Sequence, residues 1–479
     1  MSPIGGTSST APPIPNVPVR GRFAFARPLL RTFSAALAGA TLLGGCAFYH
    51  ALPLAHAPDL ASGLSGLHTQ VPGPGPGEAP RRIATDKPLT LTDVGLLAVL
   101  NDPQLRVQRG EMDLAQAGLL QASLLPNPSA SVSYAQLLGG HDITHAAWTA
   151  SLTQDVKAIL TYHTRVKSAR FLTRQVNADL LWQQWQVAQK ARLLALDLYW
   201  GGVAVDLSRR EVAMVGLEVR QARIAAQAGS LALTALAPLL AAKASADRAL
   251  ASLSLAQLQN WQALDALLGL EPNVRFTLAA PSLAPPPKDL GPLLAGLPDR
   301  RPDLVALKLG YRSADEDVRT AIIGQFPAFL LGAAWGQDTG NVRSVGPTAT
   351  FDLPLFDRNQ GQIAIARATR LTLHEQYQAR LDAAVGAVKG LAAQIRRLKR
   401  DVSVAQHAAA AAATLSSSAQ RAYALGAIDQ RALADYETTA LNRELEAVTL
   451  ARALGEADIV MTVELARGLP ETRIAAPQT

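Results

Sequence analysis

The chain has 479 residues and one cysteine, at position 46. One thiol can form neither an internal disulfide nor a Cys-x-x-Cys metal or redox motif. Aromatic residues make up only 5% of the chain although apolar residues reach 49%, so its hydrophobicity rests on small, helix-compatible Ala, Leu and Val. Gly-x-Ser-x-Gly, a phosphate-binding loop and His-Glu-x-x-His are all absent, and the eight histidines are scattered; no enzyme and no cofactor is expected. The net charge of +7 owes much to early arginines, Arg20, Arg22, Arg27, Arg31, Arg81 and Arg82. The body has no basic stripe interleaved with aromatics, which excludes a nucleic-acid partner.

What is present begins with an address. Arg20 to Arg31 precede an apolar run without acids, Thr32 to Gly45, whose charge and length are those of a secretory signal rather than a membrane span. The run stops at Cys46, and Leu43-Gly-Gly-Cys46 resembles a bacterial lipobox. That resemblance implies a signal peptide over 1–45, a covalent lipid on Cys46 and anchoring by several acyl chains. Ala47 in place of an acidic residue implies the outer membrane. Residues 46–88, rich in Pro and Gly, read as an extended tether, with order beginning near Leu89.

The body repeats itself. Pro103, Pro128, Leu152 and Ala169 recur as Pro302, Pro327, Phe351 and Ala368, each 199 positions later, and Leu105 answers Leu304. Gly229 and Gly426 are 197 apart. So long a period marks two copies of a supersecondary unit, over 89–278 and 301–468, joined by a Pro-rich linker at 279–300 and followed by a tail, 469–479.

Each unit reads alike. A short helix ends near Asn101, and a second starts at Pro103 and is broken by Pro126-Asn-Pro128. Two alternating runs follow, Ser129 to Tyr134 and Trp148 to Thr153, a hairpin with one wet and one apolar face. His141 and His145 in its loop, four apart, would bind a metal only on a helix; a polar loop makes them solvent-facing. A Pro-free run of about 70 residues, from about Val156 to Gln227, predicts a helix of about 100 Å. It reverses at Ala228-Gly229-Ser230 and returns to about Leu268. In the second unit Arg301-Pro-Asp-Leu304 opens the helix, and Ala328 to Trp335 with Thr348 to Leu353 make the strands. Gln362 to Leu425, a reversal at Gly426 and a final run to about Leu465 make the long hairpin. The fold class is mainly α with a small β part.

Four strands cannot close a barrel in a bilayer, where unpaired edges are costly. Three chains giving four strands each make a twelve-stranded transmembrane barrel, continued by the long helices as an α-barrel. The small side chains of Ala408 to Ala413 and Ser416 to Ser418 suit a closely packed helical wall.

Leu124-Leu-Pro-Asn-Pro128, Arg301-Pro-Asp-Leu304, Leu353-Pro-Leu-Phe-Asp357, Ala422-Tyr-Ala-Leu-Gly426 and the two-unit layout resemble outer-membrane efflux channels of the TolC and OprM type. The resemblance covers about Leu89 to Gly468. It implies a homotrimer in outer-membrane lipid that extends into the periplasm and serves as the exit duct of a tripartite system, partnered by a periplasmic adaptor (membrane fusion protein) and an inner-membrane transporter. It also implies adaptor contacts at the helix tips, Ala228, Gly229, Ser230, Leu425, Gly426 and Ala427. In such channels acidic residues just after the second tip narrow the periplasmic end. Here Asp435 stands nine after Gly426, Ala432 replaces the acid six after it, and Glu437 follows. The phrase Gln121 to Pro128 is similar to the heavy-metal cation branch, with multidrug export the runner-up. A type I protein-secretion duct and a lipid-anchored periplasmic coiled-coil or adaptor protein are the alternatives; the last predicts no strands.

Overall fold

The computed structural model describes residues 49–71, 79–139, 145–282, 287 and 289–467. Cys46, the signal segment, the Pro-Gly run after Val71, His141 and the tail 469–479 lie outside them. The chain forms two compact units divided at Pro58. In the first, residues 49–58 are exposed and carry no regular secondary structure. The second begins at Asp59.

The expected tether corrects first. The packed chain begins well before Leu89: a two-stranded ribbon, β1 (Gln70–Val71) and β2 (Arg81–Arg82), positions Leu67 and Ile83 in the core beside Leu89. The Ala61 N–H donates to the Gly269 carbonyl at 2.9 Å, and the Ala61 carbonyl accepts from the Glu271 N–H at 2.9 Å. Buried Asn101 accepts from the His68 N–H at 2.8 Å and donates to its carbonyl at 2.9 Å. Pro and Gly dominate only the short run after Val71; the isolated apolar residues on either side are enough to bury the flanks.

α1 (Leu91–Asn101) starts with a capping box. Thr90 Oγ1 accepts from the Asp93 N–H, and the Asp93 carboxylate accepts from the Thr90 N–H, both at 3.2 Å. α2 (Pro103–Ser123) has Pro at its first position and Asp102 as cap, whose Oδ1 accepts from the N–H groups of Gln104 at 2.6 Å and Leu105 at 3.1 Å. β3 (Ser129–Ala135) and β4 (Ala147–Asp155) form the first hairpin. A single turn, α3 (Val156–Leu160), leads into α4 (Tyr162–Gln227), and α5 (Leu233–Leu268) returns. α4 runs unbroken through Gly201, Gly202 and Gly216, and its 66 residues at about 1.5 Å each span about 100 Å. The linker holds α6 (Gly291–Ala295) and α7 (Leu297–Arg300). Then α8 (Pro302–Ile323), β5 (Phe329–Gln337), β6 (Arg343–Phe351), α9 (Gln360–Ala424) and α10 (Gln430–Glu464) repeat the order.

The four longer strands make one antiparallel sheet in the order β3-β4-β5-β6. The duplication holds at the level of register: Ala130 pairs Leu152 in the first hairpin, and their counterparts Phe329 and Phe351 pair in the second. The strand joint between the repeats is β4–β5. Around α4 lie α1, α2, α5, α8 and α10, and the main core gathers Leu97, Leu196, Leu264 and Ile459. Full burial of each such side chain contributes about 1.5–3 kcal/mol. A second cluster, Val388, Ile395, Ala457 and Met461, joins α9 to α10.

Candidate functional site

Residues directly opposite in the sheet point to the same side, so its register sorts them into two faces. One face carries Val132, Tyr134, Trp148, Leu152, Phe329, Leu331, Trp335, Val345 and Phe351, with Gln337 and Arg343 at its loop end and Gln154 at its helix end. The other carries Ser129, Ser131, Ser133, Thr149, Ser151, Thr153, Gly332, Gly336, Ser344, Gly346 and Thr348. On this second face Ser131 and Ser151 share a hydrogen bond at 2.8 Å, and Ser133 and Thr149 one at 2.5 Å. The apolar face has aromatic rims at both ends: Tyr134, Trp148 and Trp335 toward the loops, Phe329 and Phe351 toward the helices. An apolar band between aromatic girdles, backed by a hydroxyl and glycine face, is the pattern of a sheet with lipid on one side and a wet lumen on the other. Among the described residues no helix is long and apolar enough to cross a membrane.

The motif Arg301-Pro-Asp-Leu304 forms a buried polar hub. Arg301, 3% exposed, donates from Nε to Asp303 Oδ1 at 2.8 Å and from Nη1 to the Glu464 carboxylate, and it lies 4.7 Å over the Trp182 ring. Arg380 Nε donates to the other Asp303 oxygen at 2.7 Å. Arg301 thereby ties together α4, α8 and α10, and Arg380 adds α9 through Asp303. Its charge-assisted bonds offset the desolvation that burial imposes.

Both predicted tips are helix reversals at left-handed glycines, Gly229 with φ +76° and Gly426 with φ +71°. At each, the glycine N–H and the next N–H close the helix end, as in Ser230 to the Ala225 carbonyl at 2.9 Å and Ala427 to the Ala422 carbonyl at 2.8 Å. Ala228, Gly229, Ser230, Leu425, Gly426 and Ala427 are all exposed, Leu425 at 85%.

Asp435 is exposed on α10, one turn beyond Ala432, whose N–H is capped by Asp429 at 2.8 Å. Glu437 is half-buried and accepts from Gln420 Nε2 at 2.8 Å. The structure adds a third acid that sequence reasoning missed, Glu218 of α4. Burial pushes its carboxyl above the ordinary range, and the charges of Asp435 and Glu437 push it further, with Arg431 opposing. Glu218 precedes Gly229 by eleven positions; only the packing of α4 against α10 connects the two tips. Beside it a groove of about 430 Å³ is lined by Glu218, Ala222, Leu231, Pro238, Gln430 and Arg431. No group of three His, Cys, Asp or Glu side chains among the described residues forms a metal site. His145 lies in the hairpin loop, its N–H donating to the Thr339 carbonyl at 3.0 Å.

Residues 294–461 match the family model described as outer membrane efflux protein. No curated protein matches. Among solved structures, CusC is similar with a TM-score of 0.64 at 16% identity, covering 84% of this chain and 99% of that one. The CmeC outer membrane channel of Campylobacter jejuni gives 0.65 at 14%, covering 80% and 86%. The outer membrane protein VceC of Vibrio cholerae gives 0.62 at 19%, covering 79% and 97%. The second repeat therefore carries the sequence signature of the outer membrane efflux protein family, and both repeats together have the fold of its channels.

Proposed function

We propose that this chain is the outer-membrane exit duct of a tripartite efflux system, acting as a trimer that carries solutes from periplasm to exterior without chemistry of its own. The observation that carries the reading is the two-faced sheet, apolar and aromatic on one side, hydroxyl-lined on the other, with both edges open and helices of about 100 Å continuing from it. Four strands leave two unpaired edges, which a bilayer does not tolerate; pairing with further copies removes them. The alternative of a coiled-coil protein without strands is overturned by the sheet itself. Purified protein in a planar bilayer gives stepwise ion conductance and migrates as a trimer on native electrophoresis. A monomer without conductance refutes the reading.

The finer assignments rest on this one. The lipobox resemblance supports a lipid on Cys46; labelled palmitate enters the wild type and not Cys46→Ser, and equal incorporation refutes it. The exposed tips, with open space above both glycines, are the surfaces offered to a periplasmic adaptor. Asp435 and Glu437, with Glu218 behind them, supply the negative potential of a cation-preferring constriction. Asp435→Ala lowers cation preference in the bilayer recording; unchanged selectivity reduces Asp435 to a surface carboxylate. The likeness of Gln121 to Pro128 to the heavy-metal branch favours metal cations over drugs as cargo. A deletion strain becomes metal-sensitive and regains resistance with this gene; unchanged metal tolerance refutes the metal assignment.

A further inference from the structure

Among the described residues of the four long strands, the apolar face carries one charged side chain, Arg343, and it stands at the loop end. Its row across the sheet runs Tyr134, Trp148, Gln337, Arg343, and the next row places Trp335 beside Val345. Trp148, Trp335, Gln337, Arg343 and Val345 frame a pocket of about 510 Å³. Arg343 is exposed and, among the described residues, joins no ion pair. The acid of the same hairpin loop, Asp338, is taken up by its own turn: Oδ1 accepts from the Gly340 and Val342 N–H groups, each at 2.9 Å.

The position fits a lipid headgroup. A cation on a lipid-facing strand costs most at the bilayer midplane and little at the interface, the level at which tryptophan also settles. The duplication shows that the sheet itself does not need this cluster. Moving back 199 positions turns Arg343 into Thr144, Gln337 into Leu138 and Trp335 into Gln136, and moving Trp148 forward gives Pro347. No member of the cluster is kept at its counterpart, although both hairpins form. The pocket therefore belongs to the meeting of β4 with β5 and β6, once per chain, and the fold alone does not account for its residues.

We propose that this pocket binds the sugar phosphate of an outer-leaflet glycolipid, the lipid A part of lipopolysaccharide, with the Arg343 guanidinium on the phosphate and the two tryptophans against the acylated sugar. This rests on the duct reading, which turns the loop end of the sheet to the exterior. The planar guanidinium meets two phosphate oxygens at once, a match that a lysine ammonium lacks. A phosphate monoester carries about −1.5 to −2 charges at neutral pH, against one for a phosphodiester, so the cation favours a sugar phosphate over a glycerophospholipid. Trp148 and Trp335 each offer an apolar ring and one N–H donor, which suits a headgroup that is part acyl and part polar. Gln337, between Arg343 and Trp148 in the row, adds an amide donor.

The test is a titration of the purified full-length trimer, stripped of co-purified lipid in detergent, with fluorescent lipopolysaccharide. Arg343→Thr, which installs the residue found at the corresponding place in repeat 1, weakens binding about tenfold through the lost charge-assisted bonds. Arg343→Lys falls between it and the wild type, and Lys157→Gln on α3, at the helix end of the sheet, changes nothing. Dephosphorylated lipid A binds the wild type as weakly as the intact lipid binds Arg343→Thr. Should Arg343→Thr lose the trimer, Trp335→Gln decides by the same titration, with weaker binding expected. A conducting trimer that binds lipopolysaccharide equally with and without Arg343, or that exchanges it equally well for phosphatidylglycerol, overturns the site and leaves the duct reading intact. A wild-type chain that neither trimerises nor conducts overturns both.

Discussion

The two repeats are the same object in different company. α4 and α9 differ by one residue in length, 66 against 65, yet α4 buries nineteen residues and α9 eight. The reason is neighbours: α4 is enclosed by α1, α2, α5, α8 and α10, and α9 has α8 and α10. β3 and β5 differ in the same way. Where a duplicated unit is covered in one repeat and bare in the other, the bare positions are those the duct reading leaves for further copies to cover.

The sharpest way to break the comparison is at the strand seam. Gly332→Ser puts a Cβ where Leu152 approaches at 2.0 Å, so the β4–β5 joint parts and the trimer band disappears from native electrophoresis. The reciprocal change at its counterpart 199 positions earlier, Ser133→Gly, leaves the trimer in place. Equal behaviour of the two variants would show that the repeats are not distinguished by this row.

Next in size is the residue preceding each helix-opening proline, Arg301 in repeat 2 and Asp102 in repeat 1. Arg301→Ala leaves Asp303 to Arg380 alone and takes from Glu464 its arginine partner, and costs about 3 kcal/mol. Asp102→Ala removes an N-cap and costs about 1 kcal/mol. Denaturant unfolding in detergent that gave equal losses would deny the hub its role.

At the tips the strain is smaller. Gly426→Ala adds a Cβ that meets nothing within 4 Å, so only the left-handed backbone is penalised, by about 1–2 kcal/mol. The trimer survives while cross-linking to the periplasmic adaptor in cells falls. Gly229→Ala compares the two tips directly, and trimer loss in either variant would assign that glycine to folding instead.

The smallest effect is a pH dependence on the well-covered side. Asp197 of α4, which accepts from Arg452 Nε at 2.9 Å, is pushed up from 3.8 to about 6, chiefly by burial, with Arg452 opposing and Glu456 adding. A carboxyl that holds its proton more tightly when folded contributes stability below its unfolded pKa and loses it as pH rises through the folded value. Wild-type melting temperature therefore declines more steeply between about pH 4 and 6 than that of Asp197→Asn. Parallel profiles would remove Asp197 from the balance.

Elements with local causes were legible in the sequence. Prolines at 103, 128, 302 and 327 marked helix starts and strand entries, and the glycines at 229 and 426 marked the reversals. The hairpins were readable because alternation is a local signal. What escaped notice depended on distant contacts. Leu67 and Ile83 sit in a stretch whose composition is dominated by a short Pro-Gly run, and only packing on α1 and α4 reveals them as core. Glu218 carries no motif; its proximity to Asp435 and Glu437 comes from α4 lying against α10. Arg301 was read as a helix-opening motif, and its partners Glu464 and Trp182 are more than a hundred positions away.

The open-edged sheet also divides assembly into two kinetic classes. The β4–β5 seam joins segments of one polypeptide, so its partners meet at a tethered effective concentration, on the order of millimolar, whatever the expression level. Under the duct reading, pairing of the open β3 and β6 edges with further copies is bimolecular and proceeds at the concentration of free chains. Dilution, or a slow supply to the membrane, therefore starves the second class alone, and a half-built intermediate is a folded four-stranded sheet with two open edges rather than an unfolded chain.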